Sequence, residues 1–195
     1  MPRRSNRQLW ADKLSGKSVP QATTNLTLQK KPFRGIVLGI DPSLRGTGIS
    51  LLQFIPGEKA KLLHSHTIKL KRNITQADCL GEIGRTILNT VESSQIRHVA
   101  IEDTIYVQNF QTAQAMGASR GAAIAAAAMR DIPVFEYAPL RIKQAVVGNG
   151  RASKEQVART VRALLANHEL LDYDEADATA AALCHAMTWR DQDEI

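Results

Sequence analysis

The chain has 195 residues, of which 44% are hydrophobic and 23% charged. This is one domain's length with enough apolar material for a core, which excludes a disordered protein. No run of 18 or more apolar residues occurs and the N-terminus lacks the apolar stretch of a secretory signal, so a soluble, cytoplasmic protein is expected. The two cysteines, Cys79 and Cys184, show no CxxC spacing and argue against a disulfide framework or a zinc cluster.

The net charge of +6 points to a polyanionic partner, and the excess is local. Residues 1–34 carry eight basic side chains and one acid, a net +7, which leaves the rest of the chain at −1. This stretch is polar with no sustained apolar period, so it is read as a flexible basic arm, either a DNA tether or a solvated tail. Its Arg- and Ser-containing composition also keeps an organelle transit peptide as a minor alternative.

From residue 35 the pattern becomes regular and predicts one domain over 35–190, followed by a short tail over 191–195. Ile36-Val37-Leu38-Gly39-Ile40 is an apolar, β-branched run ending at Asp41-Pro42, which predicts a buried strand presenting an acid at its C-terminal end. Gly46 and Gly48 are read as a tight turn into a second strand over 49–54, with a third over 62–70 completing an antiparallel meander. Residues 76–91 place Leu80, Ile83, Ile87, Leu88 and Val91 on one helical face. A fourth strand over 97–102 again ends in an acid, Glu102, and an Ala- and Gly-rich helix spans 111–130. A fifth strand covers 133–137, and a helix starts at Ser153 with Gln156 at capping-box spacing. The last helix is placed from about residue 174 to 189. The order β-β-β-α-β-α-β-α-α predicts an α/β fold, a five-stranded mixed sheet flanked by helices.

Four acids stand out by position. If the first and fourth strands are parallel neighbours, Asp41 and Glu102 end side by side at the sheet edge where open α/β folds place ligands. Asp174 and Asp177 share a face of the last helix. Gathering negative charge there is costly without a cation, and hard oxygen ligands suit Mg²⁺, with Mn²⁺ as a substitute. Taken singly, each acid reads as a turn former or a helix cap.

The chain resembles the RuvC family of Holliday junction resolvases over about residues 35 to 188. The resemblance is carried by Gly39-Ile40-Asp41-Pro42-Ser43-Leu44-Arg45-Gly46-Thr47-Gly48, by Ala100-Ile101-Glu102 with Asn109, and by Gly117-Ala118-Ser119-Arg120-Gly121. It continues through Pro133 to Pro139 with Lys143, Val146 to Gly150 with Lys154, and Asp174-Glu175-Ala176-Asp177-Ala178. The resemblance implies an RNase H-like fold, a homodimer, and Mg²⁺-dependent symmetric cutting of four-way junction DNA to 5′-phosphate and 3′-hydroxyl ends. It also implies partnership with the branch-migration motor complex of the same pathway. Asp41, Glu102, Asp174 and Asp177 fall on the family's four acidic positions, read as catalytic and metal-binding, and Lys143 and Lys154 on its basic positions near the scissile phosphate. Arg45 is also assigned to DNA. Where the family has a junction-wedging aromatic this chain has Ile105 followed by Tyr106, and either is a candidate wedge. Ser43 replaces the family's usual glycine.

Other readings stay open: an RNase H-like nuclease acting on RNA or transposon ends, a non-catalytic junction-binding protein, and an actin-like ATPase, for which the length leaves no second lobe. The histidines form no ligand pair in the sequence and read as surface or packing residues. Trp189 reads as a cap on the core.

Overall fold

Five strands, β1 (Gly35–Asp41), β2 (Gly46–Phe54), β3 (Lys61–Lys69), β4 (Ile96–Glu102) and β5 (Val134–Tyr137), hydrogen-bond in the order β3-β2-β1-β4-β5. The structure is a computed structural model and describes residues 31–103, 109–168 and 170–190. β1 pairs antiparallel with β2 and parallel with β4, β4 pairs parallel with β5, and β2 pairs antiparallel with β3. The mixed five-stranded sheet expected from the sequence is therefore the one observed.

β1 lies at the centre of this sheet, and its run of apolar residues follows from burial on both faces. Leu38 and Ile40 face one apolar cluster, filled by Ile83, Ile87 and Val91 of α1 (Gln76–Ser93) and by Ala123, Ala126 and Ala127 of α2 (Phe110–Ala128). Val37 faces the other. There the cover is α3 (Pro139–Val147), α4 (Lys154–Leu164) and α5 (Tyr173–Thr188), contributing Ile142, Val146, Val157, Val161 and Leu183. Among the described residues no helix is long and apolar enough to cross a membrane.

Local chemistry starts these helices where the chain needs them. The Thr75 hydroxyl accepts from the Asp78 N–H to open α1, and the Asn109 side chain accepts from the Gln111 and Thr112 N–H groups to open α2. Ser153 and Gln156 form the reciprocal capping box anticipated at α4. α3 is an element the sequence reading missed, although it carries the asymmetry of a short helix: Pro139 at its start and Gly148, at φ 81°, closing it.

α5 comes unusually close to the sheet. A Cβ on Gly39 would stand 2.0 Å from the Ala178 carbonyl oxygen, and one on Gly48 2.1 Å from that of Asp174. Both distances are impossible for a side chain, so these two glycines and the alanine-rich face of α5 form a backbone-to-backbone seat. This corrects the reading of Gly46 and Gly48 as a turn, since both lie within β2. The turn proper, residues 42–45, is closed by Thr47: the Ser43 N–H donates to its hydroxyl at 3.1 Å, and that hydroxyl donates to the Ser43 carbonyl. Ser43 is not among the described residues with positive φ, so serine fits this position without strain.

Phe33 falls within the basic N-terminal stretch by composition, yet it is a core residue, edge-on to Phe54 and Trp189. Trp189 is buried beside it, as its reading as a cap on the core anticipates. Two histidines are packing residues of the core. His185 is bonded to His98 at 2.9 Å through Nε2 and to the Tyr137 hydroxyl at 2.7 Å through Nδ1, all three inside the core. Its pKa is pushed down to about 3, first by burial and then by His98 and Arg97. On β3, His64 and His66 lie on the same side of the strand with ring nitrogens 3.0 Å apart.

Candidate active site

The parallel register pairs Ile40 with Ile101, so the next residues, Asp41 and Glu102, end the two central strands side by side. α5 brings the other two acids. Its N-cap is Asp172, whose carboxylate takes the Lys69 ammonium at 2.9 Å. Asp174 lies in the first turn, two residues past the N-cap position. Its backbone rests on Gly48, and a Cβ on Gly46 would stand 3.2 Å from its Oδ2, which places the carboxylate over the start of β2. One turn later Asp177 turns inward, with 17% of its side chain exposed, and receives the Lys154 ammonium at 3.1 Å.

The electrostatics show that the four acids form one group. Burial first, then Asp177 and Asp174 push the Asp41 carboxyl up to about 7 against the partial relief of Lys154. Glu102 is pushed up to about 8 by burial, Asp41 and Asp177, with Lys154 and Lys143 pulling the other way. Lys154 is itself held more basic by Asp177, Asp41 and Asp174, which outweigh its partial burial. Lys154 thus stands against Asp177, and the charge of Lys143 reaches Glu102.

Among the described residues no three acidic, histidine or cysteine side chains close around one point as a finished metal cage. The structure shows the donor set and its charge. Four carboxylates from three chain segments share one sheet edge, and burial first, then their mutual repulsion, makes two of them resist ionisation there. Hard oxygen donors with that demand fit a hard divalent cation.

The Arg45 guanidinium is engaged with the chain itself, donating to the carbonyls of Lys71 and Ile74 and contacting the Cys79 sulfur, so it braces the β3–α1 connection. Ile105 and Tyr106 lie outside the described residues, as does the arm over 1–30. His185, two turns beyond Asp177, bonds to His98 and Tyr137 in the core.

A residue to which the sequence reading gave no role is Arg120 on α2. It pairs with Asp103 at 3.2 Å and with Glu136 of β5. Its place in the Gly117–Gly121 segment was visible, but its partners were not, since they lie 17 and 16 positions away in sequence.

The profile of the family "Crossover junction endodeoxyribonuclease RuvC" matches residues 37–185. The chain belongs to the RuvC family. Its curated relatives include the RuvC crossover junction endodeoxyribonuclease of Halorhodospira halophila, 42% identical over 150 residues, covering 77% of this chain and 89% of that protein. Among solved structures it is similar to Thermus thermophilus RuvC in complex with a Holliday junction substrate, with a TM-score of 0.73 and 33% identity over 78% of this chain and 93% of that one. The yeast mitochondrial Holliday junction resolvase Ydc2 shares the fold at a TM-score of 0.55 and 13% identity, over 95% of this chain and 85% of that one. RuvC proteins and these neighbours place the sheet and its helices in the RNase H-like class that the resemblance implied.

Proposed function

We propose that this RuvC-family chain is an endodeoxyribonuclease that resolves four-way DNA junctions by symmetric, divalent-metal-dependent hydrolysis, leaving 5′-phosphate and 3′-hydroxyl ends. One observation carries the reading: Asp41, Glu102, Asp174 and Asp177 converge on one sheet edge, with Lys154 against Asp177 and the charge of Lys143 acting on Glu102. Asp41, Glu102, Asp174 and Asp177 would hold the cation, Mg²⁺ by choice of donors and Mn²⁺ as a substitute. When bound, the metal supplies an activated water and charge stabilisation for in-line displacement at phosphorus.

The chain's own groups do the rest. The two strand ends and the seated helix fix the carboxylates before DNA arrives, so orientation is settled by folding. Lys154, 60% exposed at its side chain, can exchange its contact with Asp177 for a phosphate oxygen. Lys143 stands where its charge offsets the acids that would otherwise repel the DNA backbone.

The junction's two-fold character calls for paired sites, and α2 supports a homodimer. Ser119, Ala123, Ala126 and Ala127 pack inward, whereas Gly117, Gly121 and Ala125 are exposed at four-residue spacing, and Cβ atoms on the two glycines would meet nothing within 4 Å. That open stripe permits close approach of a second backbone. A gel comparing synthetic four-way, three-way and linear DNA, with and without Mg²⁺, tests the activity; selective nicking of the four-way substrate in Mg²⁺ is expected. Sedimentation at micromolar concentration tests the dimer: a monomer that still cuts both strands together would contradict it.

A further inference from the structure

Arg120 is costly to place. Its side chain is only 26% exposed, and its Nε–H is buried with no hydrogen-bond partner among the described residues. An apolar residue would let α2 pack without burying a cation, so packing does not account for an arginine here. What the guanidinium does is join two carboxylates from different strands, Glu136 on β5 and Asp103, the residue that follows Glu102 as the chain leaves β4. The Asp103 N–H also donates to the Tyr137 carbonyl at 2.9 Å. The residue next to Glu102 is therefore held twice, by its backbone to β5 and by its side chain to α2.

We infer that Arg120 is a positioning residue: through Asp103 and Glu136 it fixes the end of β4 and with it the direction of the Glu102 carboxylate. The inference rests on the nuclease reading above. Arg120 spends its guanidinium on Asp103 and Glu136 rather than on Glu102 itself, so its action on Glu102 is on place rather than charge. Groups that orient a metal-binding carboxylate from behind typically change affinity or activity by about 10–100-fold when removed.

The test is a double-mutant cycle of Arg120→Met and Asp103→Asn, with Arg120→Lys as the conservative variant. Single-turnover junction cleavage across pH and Mg²⁺ is read beside Mn²⁺ binding and thermal melting. Arg120→Met is expected to cut about 10–100-fold more slowly, to bind Mn²⁺ more weakly, and to keep both junction affinity and the midpoint of the pH profile. Arg120→Lys should recover part of the rate, and the double variant should be no slower than the slower single one. Parental cleavage rates in folded Arg120→Met, or strictly additive losses in the cycle, would overturn the inference. If the parent itself cleaves no junction, the nuclease reading fails separately, and Mn²⁺ binding decides: unchanged affinity in Arg120→Met overturns the positioning role, weakened affinity upholds it.

Discussion

Gly48 lies directly beneath Asp174, so close that a Cβ on the glycine would stand 2.1 Å from the Asp174 carbonyl oxygen and 2.5 Å from its carbonyl carbon. Gly48 is not among the positive-φ glycines, so its backbone would tolerate alanine and only space forbids it. The obstructing atoms are backbone, which cannot swing aside. Gly48→Ala is expected to lift the start of α5, costing about 1–3 kcal/mol or more as overpacking does, and to displace the Asp174 and Asp177 carboxylates. Gly57→Ala is the contrasting control, since nothing lies within 4 Å of a Cβ there and the strain of its φ of 88° is remote from the acids. Thermal melting and cleavage measured on both variants check this: Gly48→Ala should lose rate beyond its loss of folded protein, and Gly57→Ala should not.

This close approach also marks the limit of what the sequence discloses. The strand ends that present Asp41 and Glu102 are legible because an apolar β-branched run stopping at an acid is a local pattern, and their adjacency follows from parallel pairing. The capping box at Ser153 and Gln156 is local too. Gly48 is not, because its reason for being glycine lies on a helix more than a hundred residues onward, and from sequence alone the same Gly-x-Gly reads as a turn. The contacts of Arg45 are illegible for the same cause: the carbonyls of Lys71 and Ile74 that its guanidinium meets are set by how β3 hands over to α1. His98 and His185 are 87 positions apart and meet only because α5 crosses β4. α3 escaped notice for another reason, since nine residues give too few turns for the apolar period to show.

Removal of residues 1–34 tests the basic arm. These residues supply eight of the chain's twenty-five lysines and arginines. Every DNA phosphate that the shortened protein no longer neutralises lowers the slope of log affinity against log salt by about one unit. Binding of junction DNA should therefore weaken most at low salt, and its salt dependence should flatten, while the single-turnover rate at saturating protein is kept. An unchanged slope after truncation to Gly35 would leave the arm without a part in binding; because Phe33 packs in the core, truncation to Lys31 is the control that separates the removal of charge from the removal of packing.

Asp41→Asn and Glu102→Gln each keep the size of the side chain and delete one charge from a group that already resists ionisation. Cleavage should fall by at least about 100-fold, the scale on which one electrostatic element of a reaction centre acts. Junction affinity should hold or rise, since less negative charge faces the phosphates. Near-parental cleavage by either folded variant in saturating Mg²⁺ would refute the assignment of these acids to the reaction.

The same acids fix how metal-free stability runs with pH. Asp41 releases its proton near pH 4 in the unfolded chain but at about 7 in the folded one, and Glu102 near 4.5 unfolded but at about 8 folded. Between those limits the folded protein binds more protons than the unfolded chain, so stability falls as pH rises, by up to about 1.4 kcal/mol per pH unit for each group. His185 acts oppositely, because its folded pKa of about 3 lies below the ordinary 6.5, and its contribution, complete above pH 6.5, is lost as pH falls towards 3. Of these three groups the acids set the trend above pH 6.5. Melting temperature in chelator should therefore decline from pH 6.5 to 8, and Asp41→Asn should flatten that decline and be the more stable protein at pH 8. Divalent cation competes with protons for the same oxygens, so Mg²⁺ should raise the melting temperature more at pH 8 than at pH 6. A pH-independent melting temperature over this range in chelator, identical in Asp41→Asn, would mean that the carboxylates ionise freely and do not form the coupled group that cation binding requires.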